Sequence, residues 1–254
     1  MSVALFVTCL ADTLSPNVGR ATVSVLEGVG IELAFPEEQT CCGQMHFNAG
    51  YRSEARALAR RFVDVFDGYD AIVTPSGSCA AHVRAHLPEL AGTGRETAER
   101  TWELSHFLVE QGHGERINSG FRGSVAYHPT CHSLRLLRLG DRPVSLLRAA
   151  RGVDLVELPD ADECCGFGGT FAVKNADVSA AMLDAKIDNV LASGAEAVCA
   201  CDASCLMHIG GGLSRLRSGT RTVHLAEILA STEEAVQPDQ STRPAFGTES
   251  RGRR

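Results

Sequence analysis

The stretch Glu163-Cys164-Cys165-Gly166-Phe167-Gly168-Gly169 decides how this chain is read, because Thr40-Cys41-Cys42-Gly43-Gln44-Met45-His46 repeats its core. Two adjacent cysteines followed by glycine are uncommon once and very improbable twice by chance. Each pair has an outlying cysteine on both sides. Cys9 lies 32 positions before Cys41, and Cys79 lies 37 after Cys42. Cys131 lies 33 before Cys164, and Cys205 lies 40 after Cys165. Three residues after each distal cysteine stands a histidine, His82 or His208. One pattern, C…CCG…CxxH, is thus written twice and uses eight of the ten cysteines. The rest of the chain reads as two scaffolds that hold two thiol clusters.

Composition narrows the function. The 254 residues suffice for two domains of about 120 residues each. Hydrophobic content of 44% with 22% charged residues is that of an ordinary globular protein. A net charge of −7 argues against nucleic acid as the main partner, since phosphate binding wants a basic face. No apolar run approaches the roughly 20 residues a membrane span needs. Met1 to Leu10 lacks a basic leader and reads as a first strand rather than a signal peptide. The expected location is therefore the cytoplasm, where thiols stay reduced. Ten cysteines there point to metal or redox chemistry rather than structural disulfides.

Strands and helices alternate. Strands are expected at 3–8, 31–35 and 71–74, and helices at 17–27, 52–66 and 102–111. The helix at 52–66 is the clearest, with Ala55, Leu58, Ala59, Phe62 and Phe66 at helical spacing. Residues 88–101 read as a polar loop. The Gly-rich, polar stretch 112–123 reads as the boundary between lobes. The second half replays the first. Strands are expected at 124–128, 153–158 and 197–200, and helices at 143–151 and 178–191. A short helix opens at Ser204 and is stopped by Gly210-Gly211-Gly212. Residues 222–229 close the fold, and 231–254 read as a disordered tail. The expected architecture is α/β, with two tandem pseudo-symmetric lobes over 1–120 and 121–230, each a small, mostly parallel sheet flanked by helices. In such sheets the functional edge lies at the carboxyl ends of the strands. Cys9, Cys79, Cys131 and Cys205 follow strands directly, and the paired cysteines sit just past the intervening strands. Three dispersed positions per lobe can therefore meet at one edge.

Four gathered thiolates bind zinc or an iron–sulfur centre. Adjacent side chains diverge, so neighbouring sulfurs chelate a single ion poorly, whereas a multi-iron cluster offers each sulfur its own metal atom. Glycine after the pair permits positive φ and a close backbone approach. The metal candidates are Cys9, Cys41, Cys42, Cys79, Cys131, Cys164, Cys165 and Cys205 around an iron–sulfur cluster in one or both lobes. Zinc in one lobe and free or catalytic dithiols are the alternatives. His82 and His208, at the CxxH positions, are further candidates, the plain alternative being helix-face histidines. Cys201 is a candidate extra ligand, and Cys199 reads as a buried strand thiol. His46, His128 and His132 read as neighbours of cysteines rather than ligands. Gly166-Phe167-Gly168-Gly169 is too short for a dinucleotide loop, and no flavin, nicotinamide or Ser/His/Asp motif is visible. No catalytic residue is assigned.

The doubled Cys…Cys-Cys-Gly…Cys pattern resembles the cysteine-rich (CCG) domain found in heterodisulfide reductase and in the iron–sulfur component of glycolate oxidase. Thr8-Cys9-Leu10, Thr40-Cys41-Cys42-Gly43-Gln44, Pro75-Ser76-Gly77-Ser78-Cys79, Cys164-Cys165-Gly166-Phe167-Gly168-Gly169 and Cys205-Leu206-Met207-His208 are similar to the lactate utilization protein A family. That resemblance covers the chain to about residue 230. It implies an iron–sulfur electron-transfer subunit of a cytoplasmic complex that oxidises L-lactate to pyruvate. It also implies a ferredoxin-like iron–sulfur subunit and a third small subunit as partners. In the heterodisulfide reductase version each motif ends in CxxC. Here His82 and His208 take that last place, which leaves four regular cysteines per copy and implies an ordinary 4Fe–4S centre.

Overall fold

The computed structural model describes residues 1–232. Two sheets of four parallel strands stand in tandem. The first contains β1 (Val3–Leu5), β2 (Leu33–Ala34), β3 (Ala71–Thr74) and β4 (Thr101–Glu103) in the order β2-β1-β3-β4. The second contains β5 (Gly120–His128), β6 (Arg151–Val156), β7 (Ala197–Ala200) and β8 (Arg221–His224) in the order β6-β5-β7-β8. The two orders are the same, so the duplicated sequence is a duplicated topology. In each lobe the order in which strands are added reverses between the first and third strands, which opens a crevice beyond their carboxyl ends. The central strands are apolar on both faces, as burial on both sides demands: Val3 to Leu5, Ala71 to Thr74 and Ala197 to Ala200 are buried throughout.

Helices cover all four sheet faces. In the first lobe these are α1 (Cys9–Leu14), α2 (Pro16–Gly28), α3 (Gln44–Asn48), α4 (Arg52–Phe66), α5 (Gly77–Ala91), α6 (Arg95–Glu99) and α7 (Leu104–Glu110). In the second they are α8 (Arg142–Ala149), α9 (Phe171–Lys174), α10 (Ala176–Ala192), α11 (Ala203–Leu216) and α12 (Leu225–Ala230). The outer face of the first sheet buries Ala4, Phe6, Phe62 and Phe66 under α4 and α5. The outer face of the second buries Ala126, Ile187, Val190 and Ile209 under α10 and α11. The inner faces share one core: Leu26, Leu104 and Phe107 of the first lobe pack with Val125, Leu147 and Leu225 of the second. Helix α2 lies on α12, and α7 on α8. The two lobes thus complete each other's inner layer.

Several expectations shift in detail. The strands expected at 3–8 and 31–35 are shorter, while the helix at 52–66 and the strands at 71–74 and 197–200 stand where expected. Residues 88–101 are not a loop. Helix α5 runs through Pro88 to Ala91, α6 follows, and Thr101 opens the edge strand β4. Helix α11 likewise does not stop at Gly210–Gly212 but continues to Leu216. A Cβ on Gly212 would lie 2.1 Å from Ile187 Cδ1, so this glycine lets α11 approach α10 closely instead of ending the helix. The stretch 112–123 holds a turn at Gly114–Arg116 and the start of β5. Ser231, placed in the expected tail, is docked: its hydroxyl donates to the Gly120 carbonyl at 2.9 Å. The remainder of that expected tail, residues 233–254, lies outside the described residues.

Candidate metal centre

All eight repeat cysteines line one cavity at the junction of the two crevices. In the first lobe Cys9 opens α1 directly after β1, Cys41 and Cys42 sit between β2 and α3, and Cys79 lies in the first turn of α5. Their thiols form a chain of contacts, Cys9 to Cys41 to Cys42 to Cys79. The last pair of sulfurs is 3.3 Å apart. The second lobe repeats the chain as Cys131, Cys164, Cys165 and Cys205, with Cys131 and Cys164 sulfurs 4.0 Å apart. All ten cysteines are free of disulfides.

The backbone is arranged for these sulfurs. Thr8 and Thr130 precede Cys9 and Cys131, and both hold left-handed conformations, with φ of 73° and 33°. Such strain in a non-glycine residue persists only where its surroundings enforce it, and it gathers at functional sites. Gly43 and Gly166 both have φ of 88°, and each N–H donates to the sulfur two residues back, Cys41 or Cys164, at 3.4 Å. Cys79 takes its place at a capped helix start, where its N–H donates to Ser76 Oγ at 3.2 Å.

Electrostatics pick out one sulfur per lobe. Thiols of Cys42 and Cys9 and the Gly43 N–H point at Cys41 and hold its pKa well below the usual thiol range. Cys131, Cys165 and Gly166 do the same for Cys164. Donation to those two thiolates, with burial, pushes Cys9, Cys42, Cys131 and Cys165 up. In each lobe the neighbouring thiol protons therefore point at one low-pKa sulfur. A metal ion or cluster displaces those protons and supplies the balancing charge. Four sulfur donors, two of them deeply buried, and backbone N–H groups aimed at sulfur fit an iron–sulfur group, and they also fit zinc.

The lobes meet at this cavity through polar contacts. Asp202, on the loop before α11, is 1% exposed and caps α5 of the other lobe. It accepts from Ser76 Oγ at 2.6 Å, Ser78 Oγ at 2.8 Å and Ser78 N at 3.1 Å. The Gly77 N–H donates to the Cys201 carbonyl at 3.2 Å. Gln44 bridges Ser78 O and His132 Nε2 at 3.3 and 3.1 Å. Only the amide nitrogen can donate to that carbonyl, so His132 Nε2 accepts and its Nδ1–H donates to Cys131 Sγ at 3.4 Å.

The remaining candidates stand elsewhere. His82 is buried on α5 among Phe47 and His86, off the cavity wall. Burial and the His86 charge lower its pKa to about 4. His208 meets Ser179 Oγ at 3.3 Å and the Phe167 ring, also off the cavity wall. Cys201 faces the inter-lobe core, its sulfur 3.2 Å from Tyr127 Oη, with Glu103 beside it. Cys199 is a fully buried strand thiol. His46 on α3 keeps a buried Nδ1 without a hydrogen-bond partner. His128, read from sequence as a neighbour, also lies off the cavity wall but comes much closer to two of the sulfurs. Its ring nitrogen and the sulfurs of Cys165 and Cys205 lie within 4.8 Å of one another. Asp202 and the Ser76–Ser78 pair were not singled out from sequence. The signal available was the recurrence of Ser76-x-Ser78-Cys79 as Asp202-x-Ser204-Cys205.

Fold and donors together define a tandem cysteine-rich α/β protein with paired thiol sets suited to a soft metal or an iron–sulfur group. The family described as "Cysteine-rich domain" (CCG) matches twice, over residues 3–84 and 125–210, each match taking in one complete thiol set. "Lactate utilization protein A" of Bacillus pumilus is 42% identical over 91% of this chain and 100% of its own length. Its namesake from Geobacillus kaustophilus is 43% identical over 90% and 98%, and that from an Exiguobacterium strain 45% over 90% and 96%. The chain belongs to the lactate utilization protein A family of CCG-domain proteins. Among the described residues no helix is long and apolar enough to cross a membrane.

Proposed function

We propose that this chain is the iron–sulfur electron-transfer subunit of a cytoplasmic complex that oxidises L-lactate to pyruvate. The observation that carries the reading is the convergence of both four-cysteine sets on one cavity. Relatives named for lactate utilisation over nearly their whole length supply the substrate class. Oxidation of a 2-hydroxy acid to a 2-oxo acid releases two electrons and two protons, so a chain of carriers has to accept them. A ferredoxin-like iron–sulfur subunit and a third small subunit are the proposed partners.

Cys9, Cys41, Cys42 and Cys79 would hold one group, and Cys131, Cys164, Cys165 and Cys205 the other. When bound, a 4Fe–4S group supplies reversible one-electron chemistry. The protein's own part is positioning and tuning. The Gly43 and Gly166 N–H groups and His132 Nδ1–H donate to sulfur and so favour added negative charge. Buried Cys42, Cys79, Cys165 and Cys205 keep water from the inner side. Thr8 and Thr130 fix the direction in which Cys9 and Cys131 leave their strands.

The test is anaerobic purification with the partner subunits, followed by addition of L-lactate. Visible iron–sulfur absorption in this subunit should bleach with lactate and with dithionite. Bleaching by dithionite alone would leave a carrier without the lactate role, and a colourless protein after iron and sulfide reconstitution would overturn the reading. A second reading, a zinc-stabilised scaffold for the partners, is favoured by the His128, Cys165 and Cys205 trio, since zinc takes mixed nitrogen and sulfur ligands.

A further inference from the structure

The two lobes are not chemically equal. In β1, Ala4 faces the outer core and pairs with Ile72. In β5, Ala126 faces the outer core and pairs with Val198. Two residues on, the same face carries Phe6 in the first lobe and His128 in the second. These two stand 122 positions apart, the spacing that also separates Cys9 from Cys131. Phe6 fills its place with hydrocarbon: its ring meets Phe62 at 5.1 Å and Phe66 at 5.6 Å in edge-on contacts.

The helices behind these strands change with them. In α4 the Ala55 carbonyl and Leu58 lie against Gly43, and in α10 the Ser179 carbonyl and Met182 lie against Gly166. That correspondence places Lys186 where Phe62 stands and Val190 where Phe66 stands. The aromatic trio of the first lobe has become a histidine, a lysine and a valine. Lys186 is fully buried, and its ammonium donates to the Asp160 carbonyl at 2.7 Å.

His128 is 1% exposed, and neither ring nitrogen makes a hydrogen bond of good geometry, the backbone at Ala161 being its one polar neighbour of that kind. A buried imidazole without a well-formed hydrogen bond on either nitrogen is costly unless something else receives one of them. The nearest donors are Cys165 and Cys205, whose sulfurs with the His128 nitrogen form a triangle no wider than 4.8 Å. Among the described residues this is the one trio of His, Cys, Asp or Glu donors whose ligand atoms come this close together. The first lobe has no counterpart because phenylalanine stands there.

We propose that His128 is a nitrogen ligand of the metal group in the second lobe, while the first lobe binds its group through sulfur alone. The proposal rests on the reading that the cysteine sets hold metal. Taking one metal position from one of the four thiolates, a neutral imidazole would remove one negative charge from the centre, and histidine in place of cysteine raises the potential of iron–sulfur centres. Lys186, buried in the same lobe, adds a positive charge near Cys165. With iron in both lobes, the second becomes the higher-potential station and electrons run from the first lobe to the second. With zinc in the second lobe, His128 completes a mixed nitrogen–sulfur shell.

The full chain, reconstituted anaerobically, tests this by pulsed electron paramagnetic resonance of the reduced protein with 15N-labelled histidine. X-ray absorption at the zinc edge covers a zinc-loaded second lobe. We expect one strongly coupled histidine nitrogen, or a zinc shell containing nitrogen. His128→Phe, which copies the first lobe, should remove that nitrogen, as should His128→Gln if the phenylalanine variant misfolds. In the iron form both variants should lower the potential of one centre and leave the other unchanged. An all-sulfur shell in the unaltered protein, or a nitrogen signal that survives both substitutions, overturns the assignment of His128 while leaving the metal reading intact. Absence of any metal overturns both.

Discussion

Alanine substitution at Gly43, Gly166 and Gly92 separates backbone strain from crowding at the cysteine turns. All three glycines are left-handed, with φ of 88°, 88° and 78°. A non-glycine residue there costs about 1–2 kcal/mol. At Gly92, the cap of α5, an added Cβ meets nothing within 4 Å, so Gly92→Ala should cost that conformational amount alone. At Gly43 the Cβ would touch Leu58 Cβ at 3.4 Å and the Ala55 carbonyl at 3.6 Å, ordinary contact distances, so Gly43→Ala should cost little more. At Gly166 it would sit 2.6 Å from the Ser179 carbonyl and 2.9 Å from Met182 Cβ. Neither can swing away without moving α10, which adds about 1–3 kcal/mol of overpacking. The expected order is Gly166→Ala well below Gly43→Ala, with Gly92→Ala equal to or slightly above the latter. Urea midpoints of the metal-free variants measure it, with the slope checked for constancy. Equal losses at Gly43 and Gly166 would refute the claim that α10 closes on its cysteine turn more tightly than α4 does.

Other outcomes follow from the same contacts. Cys41→Ser or Cys164→Ser should release metal from its own lobe, whereas Cys199→Ser, in a buried strand, should leave metal content unchanged; elemental analysis of the three variants decides. Asp202→Ala strips one buried and two part-buried donors of their acceptor and should destabilise by roughly 2–3 kcal/mol, read from denaturation of the metal-free chain. His224 donates Nε2–H to the Pro75 carbonyl and accepts the Ala226 N–H on Nδ1, and burial lowers its pKa to about 4. Its folded pKa lies below the unfolded value of about 6.5, so the folded state takes up its proton less readily. Stability should therefore be intact above about pH 6.5 and fall by up to roughly 3 kcal/mol as pH drops through about 4. His224→Asn should flatten that part of the acid profile.

Much of this was legible in the residues, for identifiable reasons. Repeated Cys-Cys-Gly turns need glycine conformations, and continuous apolar runs such as Ala71 to Thr74 can only be strands buried on both faces. The edge strand β4 was not legible: its three residues alternate in burial and run directly into α7, so Trp102 reads as helical. The triple glycine in α11 misleads because the need it answers is long-range, the approach of Ile187 and Thr222. The Asp202 cap was hidden for the same reason, since it joins residues 126 positions apart, and the shared inner core was hidden because it joins helices of different lobes, such as α2 and α12. The candidate site was legible as a set of cysteines but not as one cavity, and the closeness of His128 to Cys165 and Cys205 appears only once β5 and α11 are side by side.

The most direct test is the iron, zinc and acid-labile sulfide content per chain of the full-length protein prepared without oxygen. Two thiol sets facing one cavity predict iron and sulfide in equal amounts, about four of each for every lobe that holds a 4Fe–4S group, with the eight repeat cysteines shielded from thiol reagents. A chain with neither metal nor sulfide, and with those eight cysteines open to reagent, would contradict the account.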